Sequence, residues 1–274
     1  MTEFRPSRFE ILPIVIKNLL IINVLFFLAQ KTFVTSGVDL EDWLGLHHLK
    51  SPLFEPWQIV THLFLHGNFM HLFSNMFALW MFGTHLETLW GPKRFLTFYF
   101  LCGIGAGLIQ LAFLWYDFQP LVSEFLQLKE HVTPDGVINF FNKYGINSSN
   151  HNNGVIINNY LSEPDNGSNI SGVVQAISDT AYGLINNATI GASGAVFGIL
   201  AAFVYLFPNT NLYFYFLFPV KAKWVGLAYF GFEIYSGVLN STGDNIAHWA
   251  HIGGGLVGFL LVLTWNKKNR STFY

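Results

Sequence analysis

Six long apolar stretches restrict what this sequence can fold into. They are residues 12–31, 68–90, 94–116, 191–207, 222–239 and 246–265. A helix needs about 20 mostly apolar residues to cross a bilayer, and all six come close to that length, the fourth being the shortest. Only 11% of the 274 residues are charged, whereas an ordinary soluble domain carries about 25%. The chain is therefore predicted to be an all-α membrane protein with six spans.

Positively charged residues predict the orientation of these spans. They precede or open span one, separate spans two and three and spans four and five, and follow span six: Arg5, Arg8, Lys17, Lys93, Arg94, Lys221, Lys223, Lys267, Lys268 and Arg270. All four places lie on one side of a six-span chain, and basic loops face the cytoplasm. Both termini are therefore predicted to be cytoplasmic. The first stretch contains Asn23 and no A-x-A site follows it, so we predict a retained span and not a cleaved signal peptide.

Residues 117–188 differ from the rest of the chain. The segment joins spans three and four on the outer side and carries seven acidic residues against two lysines. Its ends, 118–132 and 170–185, show the apolar spacing of amphipathic helices, while its asparagine-rich middle is predicted to be polar loop. We interpret 117–188 as an extra-membrane insertion that interrupts one membrane domain, 1–274. Connections of this length are usually functional or disordered.

Several spans contain polar side chains, which are costly inside a bilayer and usually functional. Span two with its approach, span six and the start of span four contain His62, His66, His71, Asn75, His248, His251 and Ser193. At about 1.5 Å of rise per residue, Ser193, His251 and Asn75 lie roughly 22–27 Å above the cytoplasmic ends of their helices. These three residues therefore share one level in the outer part of the bilayer.

This combination of residues is typical of a serine hydrolase. A serine hydroxyl becomes a nucleophile when a base takes its proton, and histidine is the usual base. Acyl transfer also needs hydrogen-bond donors for the oxyanion, and the candidates are the side chains of His71 and Asn75 and the backbone N–H of Ser193. No aspartate or glutamate lies obviously at this level, so the residues predict a Ser–His dyad.

Simpler explanations of these residues also exist. The sequence GASG at 191–194 is more often a packing surface between membrane helices than a nucleophile, and a membrane histidine can be a packed, hydrogen-bonded group. Gly254 and Gly258 form a G-x-x-x-G step, which predicts close packing of span six, against span four. Glu87 is predicted to be a structural cap or loop anchor. Glu233 in span five either pairs locally or lines the lateral face, and the sequence favours neither.

Five motifs resemble, in order, those of the rhomboid family of intramembrane serine proteases. They are HLFSN at 71–75, GTHLE at 83–87 followed by GPKRF, GASG at 191–194, FPVKAKW at 218–224 and AHIGGGLVG at 250–258. Each motif is weak alone, but their order and compatible depth make the resemblance strong. It covers the membrane part of the chain and leaves out the insertion.

The resemblance implies a six-transmembrane-helix rhomboid bundle with a water-filled cavity open to the outside and a long outer insertion between helices three and four. It implies Ser193 as the nucleophile and His251, which stands directly before I-x-G, as the general base. His71 and Asn75 become oxyanion partners, together with the backbone of Ser193. It implies neither a metal nor an organic cofactor.

Two further positions are compared with the family pattern. Phe197 stands where the family often has a tyrosine stacked on the base, so an apolar ring is expected there. Gln58 follows Trp57 where the family often has an arginine, so the first outer loop must be anchored differently. The insertion is expected to shape how substrates reach the cavity, on the basis of its position alone.

The leading hypothesis is a serine endopeptidase that hydrolyses peptide bonds in or near transmembrane segments of other membrane proteins, through Ser193 and His251. Its expected partners are such substrates and membrane lipid. The net charge of −2 gives no indication of nucleic acid. Short termini and the asparagine-rich loop favour a bacterial inner membrane.

Two alternatives remain open. The first is a metal or haem protein of the membrane, whose ligands would be drawn from His62, His66, His71, His248 and His251. The zinc-protease signature H-E-x-x-H is absent from the sequence. The second is an inactive rhomboid-like binding protein. Such relatives lose the serine or the histidine, and this chain has both.

Overall fold

The computed structural model describes residues 11–144, 151–214, 218–239 and 246–269, and within these ranges the chain is mostly helical. Three residues used for the orientation prediction, Arg5, Arg8 and Arg270, lie outside them. The chain divides into two compact units. The first unit comprises Met1–Leu46, Glu55–Leu111 and Ala188–Tyr274, and the second comprises His47–Phe54 and Ala112–Asn187.

The described part of the chain before residue 118 forms five helices and a short 3₁₀ turn, His62–Phe64. The helices are α1 (Ile14–Thr35), α2 (Leu40–Leu44), α3 (Gln58–Thr61), α4 (Phe69–Trp90) and α5 (Pro92–Asp117). Helix α4 begins after Asn68, whose side chain accepts the N–H of His71 at 2.8 Å and so caps the first turn. It ends at Gly91, whose φ of 79° favours glycine.

Four more helices follow: α6 (Gln119–Glu130), α7 (Pro134–Tyr144), α8 (His151–Ser162) and α9 (Gly167–Ile185). Their apolar residues form a core of their own, with Phe125, Phe140, Tyr160 and Val173 among its buried members. Helices α6 and α9 confirm the helices predicted at the two ends of the insertion.

The polar loop predicted for the middle of the insertion is wrong, because α7 and α8 occupy it. Asparagine is a mediocre helix former, and its abundance makes the helical spacing of the apolar residues in this segment hard to recognise. Val137 and Phe140 lie three residues apart on one face of α7 and are both buried. Burial of such a face outweighs a weak intrinsic propensity.

The remaining elements are α10 (Ser193–Leu206), β1 (Asn211–Phe214), β2 (Phe218–Lys221), α11 (Ala222–Leu239) and α12 (His248–Asn269). The two strands pair antiparallel, with Leu212 opposite Val220. The all-α prediction is therefore corrected to a fold whose described part is mostly helical and contains a pair of antiparallel strands. Aromatic residues such as Tyr213 and Phe214 favour strands.

The six predicted spans correspond within a few residues to α1, α4, α5, α10, α11 and α12. Among the described helices, three are both long and apolar enough to cross a membrane: α1, α5 and residues His248–Trp265 of α12. Helix α10 is apolar but has only 14 residues, which is about 21 Å of rise. Helices α4 and α11 contain polar residues, Asn75 and Glu233 among them.

Helix α10 is the centre of the first unit, since every residue from Gly194 to Phe203 is buried. Glycines allow α12 to approach its backbone closely. A Cβ atom on Gly254 would lie 1.9 Å from the carbonyl oxygen of Gly194, and one on Gly258 would lie 2.6 Å from the Cα of Gly198. Because both contacts advance by four residues, the two helices run parallel. The packing predicted from the G-x-x-x-G step is confirmed.

Cys102 completes this packing from α5. A Cβ atom on Gly198 would lie 2.4 Å from its sulfur, and the free thiol is fully buried. This agrees with its interpretation as a core residue.

Glu87 joins α4 to the start of α1. Its two carboxylate oxygens accept the backbone N–H groups of Val15 and Ile16, each at 2.9 Å. The first N–H groups of a helix have no partner within it, and the N-terminus favours a negative charge. The carboxylate is 3% exposed, so the structural role predicted for it is confirmed.

The segment between α2 and α4 is anchored by Trp57 and Gln58. The indole Nε1 of Trp57 and the amide Nε2 of Gln58 both donate to the carbonyl of Trp43, at 3.0 and 3.4 Å. Gln58 is fully buried. An uncharged amide therefore takes part in anchoring this loop where the family often has an arginine.

Candidate active site at the start of helix α10

A short extended segment leads the chain into α10. Thr189 pairs with Leu46 through two backbone hydrogen bonds of 2.8 and 2.9 Å, and the N–H of Gly191 donates to the carbonyl of His62 at 2.9 Å. Gly191 has a φ of 126°, which side chains disfavour. The chain can therefore turn sharply here, and the helix begins at Ser193. The backbone N–H of Ser193 is one of the first four of α10, which have no hydrogen-bond partner within the helix.

Ser193 and His251 contact each other directly. Nε2 of the imidazole lies 2.8 Å from the hydroxyl oxygen, which is within hydrogen-bond range. The crossing of α10 and α12 explains this, since Gly194 follows the serine and packs against Gly254, one turn after the histidine. The His251 side chain is 12% exposed.

Aromatic rings hold the plane of His251. The ring of Phe197 stacks on the imidazole, with centroids 4.3 Å apart and an angle of 7° between the planes. The ring of Tyr229 on α11 stacks in turn on that of Phe197, with centroids 5.2 Å apart. Phe197 is one turn after Ser193, so one helix carries both the hydroxyl and the ring that orients the imidazole. The ring expected at 197 is thus confirmed in its contact with His251.

Glu233 also reaches this imidazole. Its Oε2 lies 3.0 Å from Nδ1 of His251 and 2.6 Å from Nδ1 of His248. The expectation that no carboxylate lies at this level is therefore wrong. Spacing along spans two, four and six predicts the depth of residues on those helices and not on α11. This spacing does not say which face of α11 turns toward α12.

His71 lies close to both Gly191 and Ser193. A Cβ atom on Gly191 would lie 2.8 Å from Nε2 of His71 and 3.6 Å from the hydroxyl of Ser193. The ring and the hydroxyl thus flank the same small space, which stays open because residue 191 has no side chain. His71 also contacts the ring of His66 edge to face, with centroids 5.1 Å apart.

Asn75 follows His71 by one turn of α4 and is 5% exposed. Within the described residues, its Nδ2 has no hydrogen-bond partner. A buried amide donor without a partner is costly, and a catalytic role is one of the explanations for such a group in a native structure. The backbone N–H of Ser193, in the first turn of α10, and the ring of His71 are two further hydrogen-bond donors near the serine hydroxyl.

The domain model of one protein family matches this chain, the Rhomboid domain, over residues 53–120 and 166–268. These residues are more than half of the sequence. The chain belongs to the rhomboid family. It is accordingly an integral, multi-pass membrane protein, and the family resemblance of its five motifs is confirmed.

Individual rhomboid relatives are similar over different lengths. Rhomboid protein 1, mitochondrial, of Saccharomyces cerevisiae is 25% identical over 86% of this chain and 44% of its own length. Rhomboid protease GluP of Bacillus subtilis is 37% identical over 22% of this chain and 12% of its own length. Inactive RHOMBOID-like protein 8 of Arabidopsis thaliana is 39% identical over 22% of this chain and 17% of its own length. The chain spans about half the length of the curated relatives that it matches most fully.

The structure also bears on the proposed histidine ligands of a metal. Among the described residues, the ligand atoms of Glu233, His248 and His251 lie within 4.8 Å of one another, and His62, His66 and His71 do not join them. The 2.6 Å between Nδ1 of His248 and Oε2 of Glu233 is a hydrogen-bond distance. Ligand atoms that each lie about 2.0–2.2 Å from a zinc ion are farther apart when arranged tetrahedrally. The three side chains in this rhomboid therefore fit a hydrogen-bonded cluster better than a metal centre.

Sequence reasoning missed Glu233 as part of the site. The signal that points to it is its type and place, because an ionisable residue in an apolar span is a functional candidate by default. The spacing of His248 and His251 is a second signal. Residues three apart lie on one face of a helix, so both rings can reach a single carboxylate.

Proposed function

We propose that this rhomboid is an intramembrane serine endopeptidase that cleaves peptide bonds in or near the transmembrane segments of other membrane proteins. The observation that carries the proposal is the 2.8 Å contact between Ser193 Oγ and His251 Nε2. A nucleophile and a base within hydrogen-bond reach are the minimum for acyl transfer by serine.

The reaction proceeds through an acyl-enzyme on Ser193. His251 takes the hydroxyl proton as the oxygen attacks the carbonyl carbon, and it then gives that proton to the leaving amine. It next activates a water molecule that hydrolyses the ester. The oxyanion forms in the space beside Gly191, and the donors for it are His71, Asn75 and the N–H of Ser193. The uncompensated amide of Asn75 supports this assignment.

In the proposed membrane arrangement, α1, α4, α5, α10, α11 and α12 are the six spans, with both termini on the basic side. Helix α10 is too short to cross a hydrocarbon core of about 30 Å. Its N-terminal end, with Ser193, therefore lies inside the bilayer, below the membrane surface opposite the basic side. Substrate and water reach the serine from that surface. The location in a bacterial inner membrane stays a prediction, since the yeast relative is mitochondrial and GluP is bacterial.

A cleavage assay on a model transmembrane substrate tests the proposal. The purified protein should cleave it and should be labelled by a fluorophosphonate, which reacts with activated serines. Ser193→Ala and His251→Ala should each abolish cleavage. Matched controls are Ser74→Ala, whose hydroxyl bonds the carbonyl of His71 on its own helix, and His85→Ala, which packs on Phe203. Both should remain active, and a chelator should leave the rate unchanged.

The inactive rhomboid-like alternative gives the opposite result. Absence of cleavage and of labelling in folded wild-type protein would contradict the protease. Full activity in Ser193→Ala or His251→Ala would contradict the mechanism. Loss of activity on chelation would favour the metal protein instead.

A further inference from the structure

The carboxylate of Glu233 occupies a position that a Ser–His dyad does not require. It lies on α11 and is 4% exposed, in the apolar part of a membrane chain. A buried charge there is costly unless it is paired and hydrogen-bonded. Its partners are two rings of α12, since Oε2 contacts Nδ1 of both His248 and His251.

The contact with His251 determines which nitrogen of that ring carries the proton. A carboxylate oxygen only accepts hydrogen bonds, and a neutral imidazole has one N–H and one bare nitrogen. Nδ1 of His251 therefore donates to Glu233, and Nε2 is the bare nitrogen. Nε2 is the atom that lies 2.8 Å from the hydroxyl of Ser193. The carboxylate thus selects the tautomer in which the imidazole can accept the serine proton.

We infer that Ser193, His251 and Glu233 form a catalytic triad, in which Glu233 is the positioning residue. The inference rests on the proposed protease function. Once His251 has taken the proton from Ser193, both of its nitrogens carry hydrogen and the ring is positive. The carboxylate at 3.0 Å then stabilises that charge directly, without itself taking a proton.

His248 holds the carboxylate in this position. Its Nδ1 donates to the same Oε2 at 2.6 Å, and the residue is 6% exposed. With two donors on one oxygen and Phe197 stacked on the second ring, Glu233 and His251 have little freedom to rotate. His248 itself does not contact Ser193, so its influence on the serine passes through Glu233.

The decisive variant is Glu233→Gln, which keeps the size of the side chain and removes the charge. Its amide can donate to Nδ1 and so favour the wrong tautomer of His251. We expect kcat to fall by about 10²–10⁴-fold, the upper value being that of the same change in a known triad. The KM for the model substrate should stay unchanged, because Glu233 touches no substrate. Labelling of Ser193 by a fluorophosphonate should slow to the same extent.

Two further variants separate positioning from structural support. Glu233→Asp keeps the charge on a shorter side chain and should recover part of the kcat lost in Glu233→Gln. His248→Gln leaves the bond between Glu233 and His251 in place and should lower kcat less than Glu233→Gln does. If the only role of Glu233 were its hydrogen bond with His248, His248→Gln would lose as much activity as Glu233→Gln. Glu233→Asp would then restore no activity.

Glu87→Gln is the matched control for removing a buried carboxylate from this membrane unit. Its carboxylate binds backbone N–H groups of α1 and does not contact the site. It should lower the thermal unfolding temperature in detergent but keep kcat. A proton NMR signal from Nδ1–H of His251, shifted downfield by its hydrogen bond, should be present in wild type and Glu87→Gln and lost in Glu233→Gln.

The two proposals fail in different ways. If the wild type neither cleaves nor labels, the protease function is contradicted and the triad with it. If the wild type is active and Glu233→Gln retains its kcat, the triad alone is contradicted. A raised KM for the model substrate with an unchanged kcat in Glu233→Gln would also contradict the positioning role.

Discussion

Gly191 shows how much of this site depends on a single residue without a side chain. It combines a φ of 126° with a position between His71 and Ser193. The backbone angle lets the chain turn into α10, and the missing Cβ leaves the space in which we propose that the oxyanion forms. Both properties are lost together on substitution.

We therefore expect Gly191→Ala to abolish cleavage. The added methyl would lie 2.8 Å from the ring of His71, and alanine is strained at this φ. Gly67→Ala is the control, since its methyl would meet only Ile190, at 3.7 Å. The assay is cleavage of the model substrate, with circular dichroism to verify folding. Wild-type rates in Gly191→Ala would contradict the proposed oxyanion space.

Glu41 in α2 predicts a dependence of stability on pH. Burial raises the pKa of its carboxyl above 4.5, the nearby charge of Asp39 adds to this, and Lys31 opposes it. The folded state therefore binds more protons than the unfolded state above pH 4.5, so the free energy of unfolding falls as pH rises through that window. The loss remains at neutral pH.

Glu41→Gln should accordingly be slightly more stable than wild type at neutral pH. The glutamine oxygen can still accept the bond that Gln30 donates to Glu41, while the charge is gone. The advantage should disappear at acid pH, where the carboxyl is protonated in both states. Thermal unfolding in detergent across this pH range measures it, and a constant difference at every pH would contradict the explanation.

The residues of the site were predictable to different degrees. Ser193, His71, Asn75 and His251 stand in motifs, and the common depth of Ser193, Asn75 and His251 follows from counting residues along helices. The contact between Ser193 and His251 agrees with that prediction, while the catalytic roles remain proposals. Glu233 could not be placed, because its contact depends on the rotation of α11 about its own axis.

At the scale of elements, the crossing of α10 and α12 sets the geometry of the site. Two glycines of each helix allow backbone contact, and the register places His251 beside Ser193. Small residues at such a crossing are typical of packed membrane helices. The packing interpretation of GASG and the catalytic one are therefore compatible, since the glycines pack and the serine between them faces the histidine.

Gly254→Ala should separate these helices and lower activity sharply. Its Cβ would lie 1.9 Å from the carbonyl oxygen of Gly194, so the backbones must move apart. A displacement of about 1 Å can cost about 100-fold in rate. The control is Gly231→Ala on α11, where a Cβ would meet nothing within 4 Å. Equal kcat values for the two variants, measured with the same substrate, would contradict this expectation.

At the scale of the whole molecule, the chain contains two hydrophobic cores. One surrounds α10 and includes Ala195, Ile199 and Phe203. The other lies among α6–α9 and includes Phe140 and Val173. The amino-acid pattern predicts an insertion with short helices in this second region. It does not indicate that α6–α9 bury their apolar residues in one shared core.

Phe140→Ala should affect the second core selectively. The side chain is 1% exposed, and loss of a buried phenylalanine costs about 3–5 kcal/mol. Hydrogen exchange of α6–α9 should accelerate, while exchange in α10 and fluorophosphonate labelling of Ser193 stay near wild type. Equal acceleration in α10 would contradict the separation of the two cores.

The amino-acid pattern alone predicts a membrane protein, the places of its six apolar helices, and the serine, histidines and asparagine that are candidates for catalysis. These follow from local quantities, namely apolar length, charge placement and spacing along a helix. Three contacts become known only from the folded chain: Nε2 of His251 meets Ser193, Phe197 stacks on the imidazole, and Glu233 reaches Nδ1 of His251. Such contacts depend on how each helix is rotated and how closely its neighbours approach, and both are set by packing between residues far apart in the chain.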